Sequence, residues 1–275
     1  MKGTRTFERG VILENKRIAP DHHMMELVLP ATFERAQPGQ FVMIKIGWGE
    51  TPLLARPFSV YDRHSYNGVE RIQVLYRIAG KGTALLAKLK EGATLGVLGP
   101  LGHGFQMEQK YRKIALIAGG VGVAPLTFMG RYIRENCPRC DCEVTGYIGA
   151  RTASTLVGRR QMEEVCDTLR IATDDGSLGY HGVVTDLVEN DLRCYEGTDA
   201  VMYACGPYPM LRTMATLVEN GPWHCKVSME ERMACGLGAC LGCAVKVKSD
   251  GSSPSYLRVC KEGPVFDIRE IDWND

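Results

Sequence analysis

Near the end of the chain stands Cys235-Gly-Leu-Gly-Ala-Cys240-Leu-Gly-Cys243, and Cys260 follows after sixteen intervening residues. Nothing else in the sequence restricts the fold so strongly. Three thiols and three glycines in nine residues leave almost no apolar side chain to pack, so the segment needs another source of order. The spacing C-x4-C-x2-C with a fourth cysteine downstream is the plant-type ligand pattern of a [2Fe–2S] cluster, although the last ligand usually lies further away. Four thiolates from one short loop must then wrap two irons and two sulfides. Gly236, Gly238 and Gly242 let the backbone pass close to the sulfides and take positive φ. Its amides can donate hydrogen bonds to them. The alternative is structural zinc. Zinc knuckles typically carry C-x2-C on both sides, and here only Cys240 and Cys243 have that spacing. The candidate metal ligands are Cys235, Cys240, Cys243 and Cys260.

The 275 residues contain 11 cysteines, an odd number that excludes a fully paired disulfide set within one chain. The opening MKGTRTFERG has no apolar core of a signal peptide. No apolar run approaches the ~18–20 residues needed to span a bilayer. A cytoplasmic chain is expected, with cysteines that act as metal ligands or redox thiols. Lys+Arg number 33 against 32 Asp+Glu, which argues against a polyanion binder working by bulk charge. Apolar residues at 45% and charged residues at 24% exclude intrinsic disorder.

The pattern along the chain changes twice. Up to 106, short β-rich runs (Val11–Leu13, Met25–Leu29, Phe41–Ile46, Ile72–Tyr76) alternate with turn clusters such as Gln37–Gln40 and Ser65–Gly68. One helical segment, Thr83–Leu89, interrupts them, and the set suggests a small antiparallel barrel. From Lys113, strand-like and helical segments alternate: Ile114–Ala118, a helix from Pro125 to Asn136, Val144–Ile148, a helix over Arg159–Cys166, and Leu169–Thr173. Val183–Asn190, Ala200–Ala204 and a helix over Tyr208–Asn220 continue the series. Such alternation implies a parallel sheet with crossover helices. From Lys226 cysteines cluster and helices disappear, and Ala244–Lys248 with Tyr256–Val259 suits a small hairpin.

Several short motifs fall at element boundaries. Arg56-Pro57-Phe58-Ser59 is expected just after a strand, with an arginine able to fork a phosphate and a serine able to hydrogen-bond a flavin. Leu75-Tyr76-Arg77 precedes Gly82-Thr83, which opens the predicted helix and would expose free N–H groups to a pyrophosphate, or serve as an ordinary N-cap. Gly119-Gly120-Val121-Gly122 joins a strand to a helix and brings amides to its N-terminus, without being a G-x-G-x-x-G fingerprint. Asp175 lies at a strand end, where it meets ribose hydroxyls or is a polar turn. Cys205-Gly206-Pro207 also ends a strand, where open α/β sheets bind ligands.

The order Arg56–Ser59, Gly80–Thr83, Gly99–Gly102, Gly119–Pro125, Cys205–Pro207 resembles the ferredoxin–NADP reductase superfamily over residues 5 to 225. That resemblance implies a multidomain α+β chain: an antiparallel FAD-binding β-barrel over 1–108 and a Rossmann-like, NAD-binding parallel α/β domain over 109–225. A small [2Fe–2S] domain would occupy 226–275. It implies that Cys205 and Gly206 line the nicotinamide pocket, with no base placed to make Cys205 a nucleophile. Phe58 stands where many members have tyrosine, so ring packing replaces a hydroxyl contact to flavin.

Adding Glu230–Cys235 and Cys260–Phe266, nearly the whole chain resembles the electron-transfer subunits of type-B dihydroorotate dehydrogenases. The resemblance implies electron passage from the FMN of a dihydroorotate-oxidising catalytic partner through [2Fe–2S] and FAD to NAD⁺, in pyrimidine biosynthesis. Flavin belongs in the middle because it exchanges both single electrons and hydride. A heterotetramer of two catalytic and two electron-transfer chains is implied, with dihydroorotate oxidised on the partner. Small subunits of NADH-dependent ferredoxin–NADP oxidoreductases and of sulfhydrogenases have the same module order and remain an alternative. Another alternative is an inert barrel with a zinc-stabilised binding tail. Arg151, Arg159 and Arg160 are candidates for a 2′-phosphate or solvated surface groups; NAD is favoured through the resemblance. Cys137, Cys140 and Cys142 read as incidental loop thiols, Cys166, Cys194 and Cys225 as ordinary buried thiols, and His22-His23 and His103 as turn residues.

Overall fold

The computed structural model describes residues 6–47, 53–66, 68–108, 110–137, 141–197, 199–249 and 255–274. Residues 1–5 of the opening segment, Asn67 of the expected turn and Cys140 of the loop thiols lie outside them.

Six strands close into an antiparallel barrel: β1 (Thr6–Ala19), β2 (His22–Leu29), β3 (Phe41–Ile46), β4 (Arg56–Tyr66), β5 (Val69–Arg77) and β6 (Thr94–Leu101), in the order β1-β2-β5-β4-β3-β6. Alternate residues point inward, as the two-residue period of a strand requires. Met25, Leu27, Ile44, Val60, Ile72 and Val74 meet in its core. Helix α1 (Lys81–Leu86) adds Leu86 to that core, and Asn15 donates to the carbonyls of Leu86 and Leu89 at 2.9 and 3.0 Å. Orphan carbonyls at the helix end are thereby satisfied.

Two local expectations change. Arg56-Pro57-Phe58-Ser59 does not follow a strand; it opens β4, where Pro57 lies opposite Met43. A proline is tolerated near a strand start. His22 and His23 are not turn residues. Pro20-Asp21 makes the turn, with Asp21 at φ 56°, and the histidines begin β2 opposite Arg77 and Tyr76.

The second sheet is built from β7 (Lys113–Gly119), α2 (Val123–Asn136), β8 (Glu143–Ala150), α3 (Arg159–Val165), β9 (Thr168–Thr173), β10 (Tyr180–His181), α4 (Val184–Asp191), β11 (Ala200–Cys205), α5 (Tyr208–Val218) and β12 (Cys225–Ser228). A hairpin of β13 (Ala244–Val247) and β14 (Ser255–Arg258) follows, and β15 (Val265–Asp267) returns to the sheet. The strand order is β10-β9-β8-β7-β11-β12-β15, parallel except for β15, which runs antiparallel to β12. β11 is buried along its whole length, and β7 along all but its first residue, as a sheet covered on both faces demands. β12 and β15 were not anticipated from the sequence. They are short, and the cysteine-rich segment between them masks their alternation.

The C-terminal segment is tied to both other parts. Phe41, Met43 and Leu101 on the outer barrel face share one apolar cluster with Cys243, Val245 and Cys260. The N–H of His103 donates to Gly263 O at 2.6 Å and that of Met229 to Pro264 O at 2.9 Å. On the other side, Tyr61, Leu75 and Phe105 pack with Ala118, Val123 and Tyr203. The Arg131 guanidinium on α2 pairs with Asp62 of β4.

Candidate functional site

A cleft of about 620 Å³ opens where the barrel meets the carboxyl end of the parallel sheet. That is a volume typical of a small-molecule or cofactor site. The barrel contributes Pro57, Phe58, Ser59, Leu75, Tyr76 and Arg77. The sheet contributes Gly119, Gly120, Gly122 and Gly206. Motifs scattered through the sequence thus share one surface.

The barrel wall is apolar with polar edges. Phe58 is buried and meets Tyr76 edge to face, centroids 5.7 Å apart. Tyr76 donates its hydroxyl to Asn15 at 2.8 Å, and burial pushes it up to about 12. This wall suits the packing of a planar ring. Arg56, Gly82 and Thr83 stand outside the cleft lining but are brought together. A Cβ on Gly82 would lie 2.2 Å from Arg56 Nε, so only glycine lets the guanidinium lie across the start of α1. Thr83 Oγ1 accepts the N–H groups of Ala79 and Gly80 at 2.9 and 3.2 Å. Thr83 therefore fixes the turn into the helix, while Arg56 supplies the positive charge there.

The sheet wall is made of glycine for steric reasons. β7 ends at Gly119, Gly120 takes φ +54°, and one tight turn leads into α2. A Cβ on Gly122 would stand 2.2 Å from Cys205 O, so the loop after β7 and the end of β11 touch backbone to backbone. The approach leaves amides at the start of a long helix facing the cleft, where a pyrophosphate is favoured.

Two expected residues sit elsewhere. Cys205 ends β11 as expected, but it is fully buried behind the cleft wall, and Gly206 and Pro207 form the lining. Burial pushes its thiol well up, which removes it further from thiolate chemistry. Asp175 is exposed in the turn after β9, outside the cleft, and accepts from Ser177 N–H and Oγ–H at 3.0 and 2.5 Å. Arg159 and Arg160 pair with Glu163 and Glu164 one turn along α3. Sequence reasoning missed His22, Ser228 and Met229 as lining residues, while Pro207 and Glu230 stood in motifs without a role of their own. His22 could have been found from its place opposite Arg77; Ser228 and Met229 carry no signal before β12 is recognised.

The cysteine loop adjoins this cleft. Glu231, Arg232 and Met233 continue the lining and lead directly to Cys235. The loop has no helix or strand until β13, and Gly236, Gly238 and Leu241 adopt φ +69°, +82° and +59°. A Cβ on Gly236 would stand 2.6 Å from Met43 Cγ, so the loop lies directly on the barrel. Burial opposes ionisation of Cys235, but the N–H groups of Leu237, Cys240 and Ala239 and the Cys240 thiol outweigh it and bring it to about 6. Burial pushes Cys260 up to about 12, reinforced by the Cys243 thiol beside it. The sulfurs thus fall into two pairs, Cys235 with Cys240 and Cys243 with Cys260. No three Cys, His, Asp or Glu side chains among the described residues converge on one point. Two thiol pairs with inward-turned amides suit a centre of two metal ions better than a single tetrahedral ion. Arg258 clasps the loop, donating to Gly238 O at 2.8 Å and forking to Glu262.

Among the described residues the remaining thiols make no such site; Cys166 and Cys225 are buried as expected, whereas Cys194 is exposed. Cys142 and Cys137 are buried together, with the Cys142 thiol 3.9 Å from Cys137 O and pushed up to about 12 by burial. His103 serves the contact with Gly263 described above.

Known proteins match these three parts in the same order. Residues 9–106 match an oxidoreductase FAD-binding domain, 116–216 an oxidoreductase NAD-binding domain, and 230–272 the iron–sulfur cluster binding domain of dihydroorotate dehydrogenase B. The dihydroorotate dehydrogenase B (NAD(+)) electron transfer subunit of Desulforamulus reducens is 38% identical over 93% of this chain and 94% of its own. That of Clostridium acetobutylicum is 35% identical over 100% of both. Among solved structures, one from an NADH-dependent reduced ferredoxin–NADP oxidoreductase covers 100% of this chain and 92% of its own, with TM-score 0.81 and 29% identity. Phthalate dioxygenase reductase shares the fold, with TM-score 0.64 and 17% identity over 93% of this chain and 77% of its own.

Proposed function

We propose, because this chain belongs to the family of dihydroorotate dehydrogenase B (NAD(+)) electron transfer subunits, that it carries electrons from the FMN of a dihydroorotate-oxidising catalytic partner to NAD⁺. The route runs through a [2Fe–2S] cluster on Cys235, Cys240, Cys243 and Cys260 and through FAD in the cleft. One observation carries this reading: the lining of the cleft continues without interruption into the cysteine loop. When bound, the cluster exchanges single electrons and FAD couples them to hydride transfer with nicotinamide.

The chain's own residues position these groups. Phe58 and Tyr76 offer the ring a flat apolar wall, Ser59 and Arg77 its polar edge, and Arg56 with the start of α1 a place for phosphate. Gly119, Gly120 and Gly122 let a dinucleotide approach α2, and Gly206 leaves room beside Cys205 for nicotinamide. NAD is the coenzyme because the relatives it resembles over the whole chain are NAD(+) subunits. Asp175, exposed after β9, would accept from a ribose hydroxyl. Residues 1–108, 109–225 and 226–275 would serve FAD, NAD and cluster respectively.

The partner supplies the site for dihydroorotate, and the working assembly is a two-plus-two heterotetramer in the cytoplasm, serving pyrimidine synthesis. No helix among the described residues is long and apolar enough to cross a membrane. The test is direct. The isolated holo-chain should oxidise NADH with artificial dyes but not dihydroorotate, and adding the FMN partner should couple dihydroorotate to NAD⁺. Robust dihydroorotate turnover by the isolated chain would overturn the assignment. The likeness to the NADH-dependent oxidoreductase structure keeps a second reading in view, and co-purification of a different flavoprotein would favour it.

A further inference from the structure

Arg258 does more than fasten the cysteine loop. It ends β14 opposite Ala244, the residue after Cys243, and stands two residues before Cys260. Its carbonyl accepts from the N–H groups of Lys261 and Glu262 at 3.0 and 2.9 Å and so starts the turn that carries Cys260. The next residue, Val259, donates its N–H to Cys243 O at 2.9 Å. The guanidinium reaches the first ligand segment, where Nη1 donates to Gly238 O at 2.8 Å between Cys235 and Cys240. One residue thus joins the segments that bear the four thiols. Glu262 takes the other guanidinium nitrogens: its carboxylate accepts from Nε at 3.0 Å and from Nη2, and also from the Arg258 backbone N–H at 2.8 Å. Such a forked pair is fixed in geometry. The Arg258 side chain holds the Glu262 carboxyl at about 2, so both charges are present at neutral pH. With side chains 25% and 28% exposed, the pair is screened by water only in part. Lys261 Nζ lies 3.8 Å from the same carboxylate.

The proposed route places an unusual demand on this corner of the molecule. An electron enters the cysteine loop alone, with no proton to cancel its charge and no bond made or broken. The added negative charge is then balanced by fixed charges and dipoles nearby, and such groups set the reduction potential of iron–sulfur centres. A guanidinium that bonds the backbone between two ligands is placed for this. We propose that Arg258 is a positioning residue whose charge raises the reduction potential of the cluster, and that Glu262, by facing its other nitrogens, moderates the rise. The pair sets how readily the loop takes an electron from the partner and how readily it gives that electron to FAD. The proposal rests on the four cysteines holding a [2Fe–2S] cluster.

The holoprotein is compared with Arg258→Gln, Arg258→Lys, Glu262→Gln and the double variant Arg258→Gln/Glu262→Gln. The readout is the midpoint potential of the cluster, followed by electron paramagnetic resonance during a redox titration. Arg258→Gln should weaken electron uptake about tenfold, a fall of about 59 mV for one electron. Glu262→Gln should move the potential in the opposite direction, upward. The double variant should return towards the native value, and Arg258→Lys, which keeps the charge but loses the fork, should stay close to it. A clasp that only held the loop would shift both single variants the same way or leave both unmoved, and either result overturns the proposal. If Arg258→Gln assembles no cluster, the other two single variants decide. An unmoved or lowered potential in Glu262→Gln, or a tenfold loss of electron uptake in Arg258→Lys, then overturns the role of Arg258. Native protein without a [2Fe–2S] signal overturns the underlying reading instead.

Discussion

The cleft and the cysteine loop lie side by side but are ordered by different means. The cleft is a by-product of two apolar cores. Phe58 is held by its barrel, Gly122 by backbone contact with the end of β11, and both would keep their places with nothing bound. The loop has less of it: only its ends, Cys243 and Cys260, enter an apolar cluster, and Arg258 holds it at Gly238. It leaves Leu237 and Leu241 exposed, adopts three left-handed residues in close succession, and gathers its thiols in two pairs. One region binds because it is folded; the other is arranged in the form that binding requires.

Replacing Cys240 by serine should divide the two most sharply. It should abolish the cluster's visible absorption while FAD remains bound, and stoichiometric iron and sulfide in that variant would break the comparison. Gly122→Ala acts on the cleft, since its Cβ would meet an unyielding carbonyl at 2.2 Å. Overpacking of this kind costs about 1–3 kcal/mol. Thermal unfolding should fall and nucleotide binding weaken, with iron content unchanged. Gly236→Ala tests the boundary, because the loop rests there on Met43 with φ +69°. The left-handed backbone costs a non-glycine residue roughly 1–2 kcal/mol, so a chelator should strip iron faster while FAD content holds. The smallest effect is expected from Phe58→Leu, which gives up an aromatic pair worth about 0.5–1.5 kcal/mol. FAD should dissociate a few-fold faster, with no change in the cluster.

The same difference governs what the sequence disclosed. The glycine run after β7 was legible because its chemistry is local: a buried strand, a turn only glycine permits, and a helix. The cysteine-rich segment was legible as an iron–sulfur region because its spacing is local too. What escaped depends on contacts between distant segments. The strand end at Cys205 was correctly located, yet its burial depends on Ser228 arriving from β12. His22 resembled a turn residue until Arg77 supplied a strand opposite it. β15 has three residues and no pattern of its own; its pairing with β12 defines it.

That small strand has a practical consequence. β12 and β15 complete the nucleotide sheet with residues from the cluster-bearing end of the chain. A chain cut after 225 would strip the outer flank of β11 and leave a wholly apolar strand with unpaired amides and carbonyls, a template for sticking to other chains. The cluster segment is therefore not a cassette that can be traded among reductases at a linker. A graft that ignores the last two strands should precipitate, and one that carries them along with the sheet they finish should stay in solution.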